Sequence, residues 1–415
     1  MMDQLMTILR ETPAHTLLAA FVALIVVTFY SLYAILHLIA PKPRPVLPSE
    51  KTYTTTTPNG RETVTRQLPC WHDRWLAERH KSETRDKNDP IQDGIANTGA
   101  IEPAEVRLSV VFPAYNEEDR ILPTLKEAVE YLDVTFGRSN RLNPNATPNK
   151  PSSRPSTPHS HSHRHVLNAP RDDLSGYEIL IVNDGSRDRT VDVALDFARE
   201  HGLHDILRIV TLARNRGKGG GVTHGLRHVR GEYALFADAD GASRFRDVGK
   251  LIEGCEEVVD GSRRGVAIGS RGHLVGSEAV VKRSAMRNFL MRSFHLVLMI
   301  LTPPATSRLR DTQCGFKLFS RAALPHIVPY MHAEGWIFDI EMLMLAESAP
   351  AVPVLGSDGA VIGSSPGIKV AEVPIDWHEV GGSKLNVIQD SIKMAIGLAV
   401  LRASWMIGVY RRRLA

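Results

Sequence analysis

The sequence predicts an α/β domain, a mostly parallel sheet with helices on both faces, carried behind one N-terminal membrane-spanning helix. Three observations predict it. From Val106 onward, apolar strand-like runs alternate with segments of helical spacing. Polar clusters follow those runs in succession, and Thr16 to Ala40 contains no charged residue. A chain of 415 residues with 43% hydrophobic and 23% charged content can bury a full core.

The anchor comes first. "HTLLAAFVALIVVTFYSLYAILHLIA" (His15 to Ala40) is about 36 Å long as a helix, against about 30 Å of hydrocarbon. A cleaved secretory signal would carry an apolar core of only about 7–15 residues before small residues, whereas this run is longer and ends in "PKPRP". It reads as an uncleaved anchor with residues 1–40 as short flank and span. The flank before it holds Arg10 alone among Lys and Arg, and the flank after it holds Lys42, Arg44 and Lys51. That bias puts the C-terminal side in the cytosol. The three cysteines, Cys70, Cys255 and Cys314, lie far apart. They suit a reducing compartment better than a disulfide framework or a zinc site.

Residues 41–105 are polar and poorly periodic and are expected to be a juxtamembrane connection with little core. The folded unit is expected over 106–382. "VRLSVVFPAYNEE" reads as a buried strand ending at Pro113, and "RILPTLKEAVEYL" as a helix. "YEILIVNDGS" is a second strand, and "RTVDVALDFAREHG" a helix stopped by Gly202. "ILRIVTLA" is a third strand, "GGVTHGLRHVRG" a helix and "YALFADAD" a fourth strand. Such alternation implies parallel pairing with both faces covered.

Two insertions interrupt it. Residues 138–170 are rich in Pro, Ser, Asn and His, too apolar-poor to offset their ordering entropy. Residues 348–367 look like a second surface insertion. Near the end, "FLMRSFHLVLMILTPP" (Phe289 to Pro304) and the helical segment within 383–415 are apolar enough to lie on a membrane. Either could instead be a core helix, and membrane contact is the reading preferred.

In a parallel sheet, ligands bind beyond the carboxyl ends of the strands, and "PAYNEE", "NDGSRD", "RNRGKGG" and "DADGA" all fall there. Asp184 is either a turn and cap residue or an acceptor for a nucleoside. "GKGGGV" lacks the spacing and final Ser/Thr of a P-loop. Its glycines suit close backbone approach, with Lys218 near a ligand's negative charge. Asp238 and Asp240 stand one residue apart, where two carboxylates repel and a hard divalent cation relieves the repulsion. A net charge of +4 is too small to argue for nucleic acid.

The series "FPAYNEE", "VNDGSRD", "RNRGKGG", "FADADGAS", "RDTQCGFKLF", "GWIFDIE" and "WHEVGGSK" resembles family 2 glycosyltransferases of the GT-A fold. Within that family it is most similar to the branch that moves glucose from UDP-glucose onto dolichyl phosphate at the endoplasmic reticulum membrane. The likeness covers Val106 to about Arg412. It implies that Pro113, Tyr115, Glu117 and Asp184 hold uridine. Lys218 and Asp238 would position the nucleotide, and Asp240 would be the principal ligand of Mg²⁺ or Mn²⁺. Related mannose enzymes commonly carry Gln two residues after the second Asp, where this chain has Ala242, so the rest of the metal shell is unassigned.

For the acceptor phosphate the resemblance points to Arg271 and Arg283, with Arg287, Gln313 and Lys317 nearby and Asp311 in the same motif. Arg271, Arg283 and Arg287, and Lys282 beside them, have the alternative of a solvated helix face. Asp339 and Glu341 are either contacts to glucose hydroxyls or buried structural acids. The expected activity is an inverting, metal-dependent glucosyl transfer that gives dolichyl β-D-glucosyl phosphate for N-glycan assembly. A GDP-mannose-dependent homologue and a non-catalytic scaffold of the same fold are the rivals.

Overall fold

The computed structural model describes residues 12–60, 62–84, 101–138, 174–274, 296–355, 361–380 and 387–410. Helix α1 (Ala14–Ile39) is the apolar run, and its side chains are exposed along almost its whole length, Leu36 excepted. Among the described residues it is the one helix long and apolar enough to cross a membrane.

Among the described residues, the centre of the domain is a sheet of nine strands. In chain order these are β1 (Thr52–Thr56), β2 (Thr63–Gln67), β3 (Val106–Ala114), β4 (Tyr177–Asn183), β5 (Leu207–Thr211), β6 (Gly231–Ala237), β7 (Val266–Ser270), β8 (Phe316–Ser320) and β11 (Val370–Pro374). Their spatial order is β11-β7-β8-β6-β3-β4-β5-β1-β2. Strands β6, β3, β4 and β5 pair in parallel, as do β11 and β7. Strand β8 runs antiparallel between β6 and β7, and β1 and β2 extend the far edge antiparallel.

Two layers of core explain why the central strands read as unbroken apolar runs rather than alternating ones. Val111, Leu180, Val182 and Phe236 point into one layer; Val110, Phe112, Ile179, Ile181 and Leu235 point into the other. The second layer is closed by helices α3 (Ile121–Thr135), α4 (Thr190–Glu200) and α6 (Val248–Val258). The first is closed by α2 (Trp71–Thr84), α5 (Gly217–Leu226), α7 (Phe338–Glu347) and the C-terminal α8 (Val387–Ile407).

Residues 41–105 correct the expectation of a connection with little core. They supply β1, β2 and α2, and Trp71 is only 1% exposed, its indole N–H donating to the Leu226 carbonyl at 2.8 Å. The strand "TYTTT" escapes notice because hydroxyls do the work of apolar side chains. Thr55 Oγ1 donates to the Leu207 carbonyl and Tyr53 Oη to Asp205, each at 2.8 Å. Trp71→Ala should therefore lower stability by about 3–5 kcal/mol, the usual cost of emptying an aromatic core position. Denaturant unfolding in detergent checks this; a loss under about 1 kcal/mol would mean that the segment is not part of the folded unit.

The region 348–367 lies at the surface, but it holds a hairpin of its own, β9 (Val352–Leu355) with β10 (Val361–Ser365). Of the insertion 138–170, only Arg138 is described; it pairs with Asp133 at 2.8 Å. Leu296, Met299 and Ile300 of the penultimate apolar stretch are exposed while Leu298 is buried. Helix α8 has two characters as well: Leu398 and Leu401 are buried, and Ile392, Ile396 and Met406 are exposed. It packs beside α1, and Tyr410 just beyond it donates to the Pro41 carbonyl at 2.5 Å.

Candidate active site

The loops after β3 and β4 leave the carboxyl ends of neighbouring parallel strands and are tied together residue by residue. Asn116 takes a left-handed backbone (φ 53°), a conformation Asn tolerates better than most residues. Its N–H donates to Ser186 Oγ (3.0 Å), and its side-chain Oδ1 accepts from the Arg187 N–H (2.8 Å). Glu117 N–H donates to Thr190 Oγ1 (2.8 Å), Glu118 N–H to Asp188 (3.1 Å) and Arg189 N–H back to Glu118 (2.8 Å). Pro113 and Tyr115 sit half-buried on this rim, and Glu117 is ion-paired to Arg120 at 2.6 Å.

Asp184 does what a helix cap does. One carboxylate oxygen accepts from the Arg216 N–H at 2.6 Å and the other from the Gly217 N–H at 2.9 Å, at the start of α5. Burial pushes its carboxyl up to about 6, although these two N–H groups favour the charged form. Gly217 has φ 79°, and a Cβ there would approach the Glu334 carbonyl to 2.8 Å; at Gly219 a Cβ would come within 2.6 Å of Phe338. The glycines thus seat α5 close to α7, as expected of close backbone approach.

Lys218 leaves α5 for the end of β6. Its ammonium lies 2.6 Å from Asp238 and over the rings of Phe236 and Trp336 at 5.4 and 5.9 Å. Burial works against its charge, and Asp238 and Asp339 more than restore it. The Asp238 N–H donates to the Gly315 carbonyl at 2.9 Å, locking the strand end to β8. Asp240 follows on a turn made by Gly241 (φ 71°), and one of its oxygens accepts from the Ala242 N–H at 3.0 Å. Both aspartates are half-buried around the buried Ala239. They form no group of three with another His, Cys, Asp or Glu among the described residues. The two carboxylates are oxygen donors of the kind that suit a hard divalent cation, and Asp240, which unlike Asp238 has no ammonium beside it among the described residues, would be its principal ligand.

Across from this pair, Arg271 holds Asp311 in a two-pronged ion pair (2.6 and 2.8 Å) and adds its own backbone N–H at 2.9 Å. Burial opposes the Arg271 charge, but the Asp311 carboxylate outweighs it and raises the guanidinium. The guanidinium also lies over Trp377 at 5.4 Å.

Other expected site residues are placed differently. Lys317 is fully buried, with its ammonium on Asp339 and, at 2.5 Å, on the Cys314 carbonyl. That removes it from reach of an acceptor, because an ammonium without water must be used up by its partners. Asp339 is accordingly a structural acid. So is Glu341, which accepts from the His332 and Ala333 N–H groups at 2.9 and 2.7 Å. Gln313 Nε2 lies 3.2 Å from Met394 Sδ on α8. Lys282, Arg283 and Arg287 lie outside the described residues. Sequence reasoning missed Trp336, Trp377 and Gly315, although each stands inside or beside a motif it had singled out.

The family description "Glycosyl transferase family 2" matches residues 162–323. A dolichyl-phosphate beta-glucosyltransferase of Saccharomyces cerevisiae is 37% identical over 410 residues, 97% of this chain and 96% of the relative. Proteins of the same description from Dictyostelium discoideum and Homo sapiens are each 34% identical over 306 residues, covering 74% of this chain and 77% and 78% of theirs. Among solved structures, a glucosyl-3-phosphoglycerate synthase from Mycobacterium tuberculosis with Mn²⁺, UDP-glucose and phosphoglyceric acid aligns at TM-score 0.42. It is 16% identical and covers 72% of this chain and 80% of its own.

Proposed function

Because this chain belongs to the dolichyl-phosphate β-glucosyltransferases of glycosyl transferase family 2, we propose that it transfers glucose from UDP-glucose to dolichyl phosphate with inversion. The observation that carries this reading is the site at the end of β6, where Asp238 faces Lys218 at 2.6 Å and Asp240 follows on the next turn. Arg271, oriented by Asp311, supplies a held cation opposite.

The chemistry follows from charge. Departure of UDP places negative charge on phosphate oxygens, and Mg²⁺ or Mn²⁺ held chiefly by Asp240 would stabilise it there. Lys218 keeps Asp238 in place and adds a positive charge on the donor side. The rim of Pro113, Tyr115, Glu117 and Asp184 is where uridine would lie. A phosphate monoester acceptor loses its second proton near pH 6 and is largely ionised at neutral pH, so it needs no strong base. What the site must do instead is hold two anions together, which suits Arg271 with Arg283 and Arg287. Attack in line on the anomeric carbon inverts the α-linked donor to a β-glucosyl phosphate. In this reading Asp311 orients Arg271.

The same reading places the domain on the cytosolic face of the endoplasmic reticulum membrane, anchored by α1. One experiment tests donor, acceptor and side together. Sealed microsomes carrying the protein, given dolichyl phosphate, should form product from external UDP-glucose without detergent and should not use GDP-mannose. Protease added outside should then abolish activity. Use of GDP-mannose would reassign the donor, and activity that appears only after detergent, with protection from protease, would reverse the orientation.

A further inference from the structure

Arg271 follows the last residue of β7, and Asp311 lies in the loop that leads to β8, so their ion pair holds only if both segments hold. One side chain fastens both. Glu372, half-buried on the edge strand β11, accepts a hydrogen bond from Ser270 Oγ at 2.7 Å, next to Arg271. On the other segment it accepts from the backbone N–H groups of Arg310 and Asp311, each at 3.0 Å. All three donors meet Oε1, and the Arg310 N–H also reaches Oε2 at 3.1 Å.

These contacts close a ring. Glu372 holds Ser270, the chain passes to Arg271, Arg271 holds Asp311, and the Asp311 N–H returns to Glu372. The Gly272 N–H donates to Ser270 Oγ at 3.2 Å, so the residues on both sides of Arg271 share the same anchor. Within the ring, Asp311 occupies the guanidinium edge formed by Nε and Nη2 and not Nη1. Trp377, beyond the end of β11, lies against the guanidinium face at 5.4 Å. A glutamate that only tidied a loop would take N–H groups from one segment. Glu372 takes its donors from the two segments that carry the ion pair.

We infer that Glu372 is a positioning residue for the transfer, which sets Arg271 against the acceptor phosphate by joining the segments that bear Arg271 and Asp311. The inference rests on the reading of Arg271 as an acceptor contact. Asp311 alone supplies the countercharge that raises the Arg271 guanidinium. Glu372 adds location: three donors converging on one oxygen fix the ion pair relative to the sheet. A displacement of about 1 Å at a positioning group can cost on the order of 10²-fold. The property required of residue 372 is therefore an acceptor oxygen, which an amide also provides, and not a charge.

The test is steady-state kinetics of the full-length protein in detergent, with dolichyl phosphate and UDP-glucose varied separately. Glu372→Ala should lower kcat/KM for dolichyl phosphate by about 10- to 100-fold, while UDP-glucose binding measured by calorimetry stays within about two-fold of wild type. Glu372→Gln should recover kcat/KM to within about three-fold of wild type, because its amide oxygen can take the same donors. In an Arg271→Ala background, Glu372→Ala should add less than about two-fold, since a residue acting through another has nothing left to act on. Should Glu372→Ala fold poorly, Ser270→Ala removes one spoke of the ring and should lower the same constant by about two- to five-fold. Arg271→Ala without effect on dolichyl phosphate use overturns the acceptor reading and this inference together. If Arg271→Ala does lose acceptor use, three results overturn this inference alone: equal loss of donor affinity in Glu372→Ala, no recovery in Glu372→Gln, or a full Glu372→Ala loss in the Arg271→Ala background.

Discussion

Asp240→Asn leaves the fold intact and lowers turnover by at least ~100-fold, more than the loss usual for an outer-shell partner of a metal. The carboxylate sits on an exposed-side turn after β6 and accepts one hydrogen bond, from the Ala242 N–H at 3.0 Å. An amide oxygen can keep that bond, so local structure survives while the anionic ligand is lost. The same loss is expected when EDTA is added to the wild type, and it should reverse with Mg²⁺ or Mn²⁺. Turnover by Asp240→Asn within a few-fold of wild type, or activity indifferent to EDTA, removes the metal from the proposed mechanism.

Gly315→Ala is expected to cost about as much, for a reason only visible in three dimensions. A Cβ on Gly315 would fall inside the van der Waals shell of the Asp238 carboxylate. The two backbones cannot separate easily, because the Asp238 N–H bonds the Gly315 carbonyl at 2.9 Å and Ala237 pairs with Phe316. The carboxylate must therefore swing away from Lys218, its partner at 2.6 Å. Displacement of a positioning group by about 1 Å can cost on the order of 10²-fold. The expected result is a fall of that size in kcat/KM with a melting temperature within a few degrees of wild type. Wild-type activity in this variant would show that Asp238 does not need its position against Lys218.

Much of the domain was legible because its signals are local. The central strands are buried on both faces, so each shows as an apolar run, and each ends in a polar cluster where a ligand would bind. Asp184, Lys218, Asp238 and Asp240 could be marked for the same reason. Where the signal is not local, reading failed. Residues 41–105 seemed a linker because the threonines of β1 are polar in sequence and become buried only through the Leu207 carbonyl and its neighbours. Lys317 was placed near the acceptor because the resemblance puts its motif beside the acceptor arginines; its burial depends on Asp339, twenty-two residues along.

By itself, then, the sequence determined the apolar N-terminal helix and the order of the central strands and helices, and it marked Asp238 and Asp240 as a candidate cation site, since hydropathy, periodicity and the repulsion of closely spaced carboxylates act over a few residues. Only the tertiary structure decided which charges are free to meet a substrate. It engaged Arg271 with Asp311, sealed Lys317 against Asp339, and set Gly315 against Asp238. Those partners come from distant segments brought together by the sheet, and the availability of a charged group is set by whatever the fold places beside it.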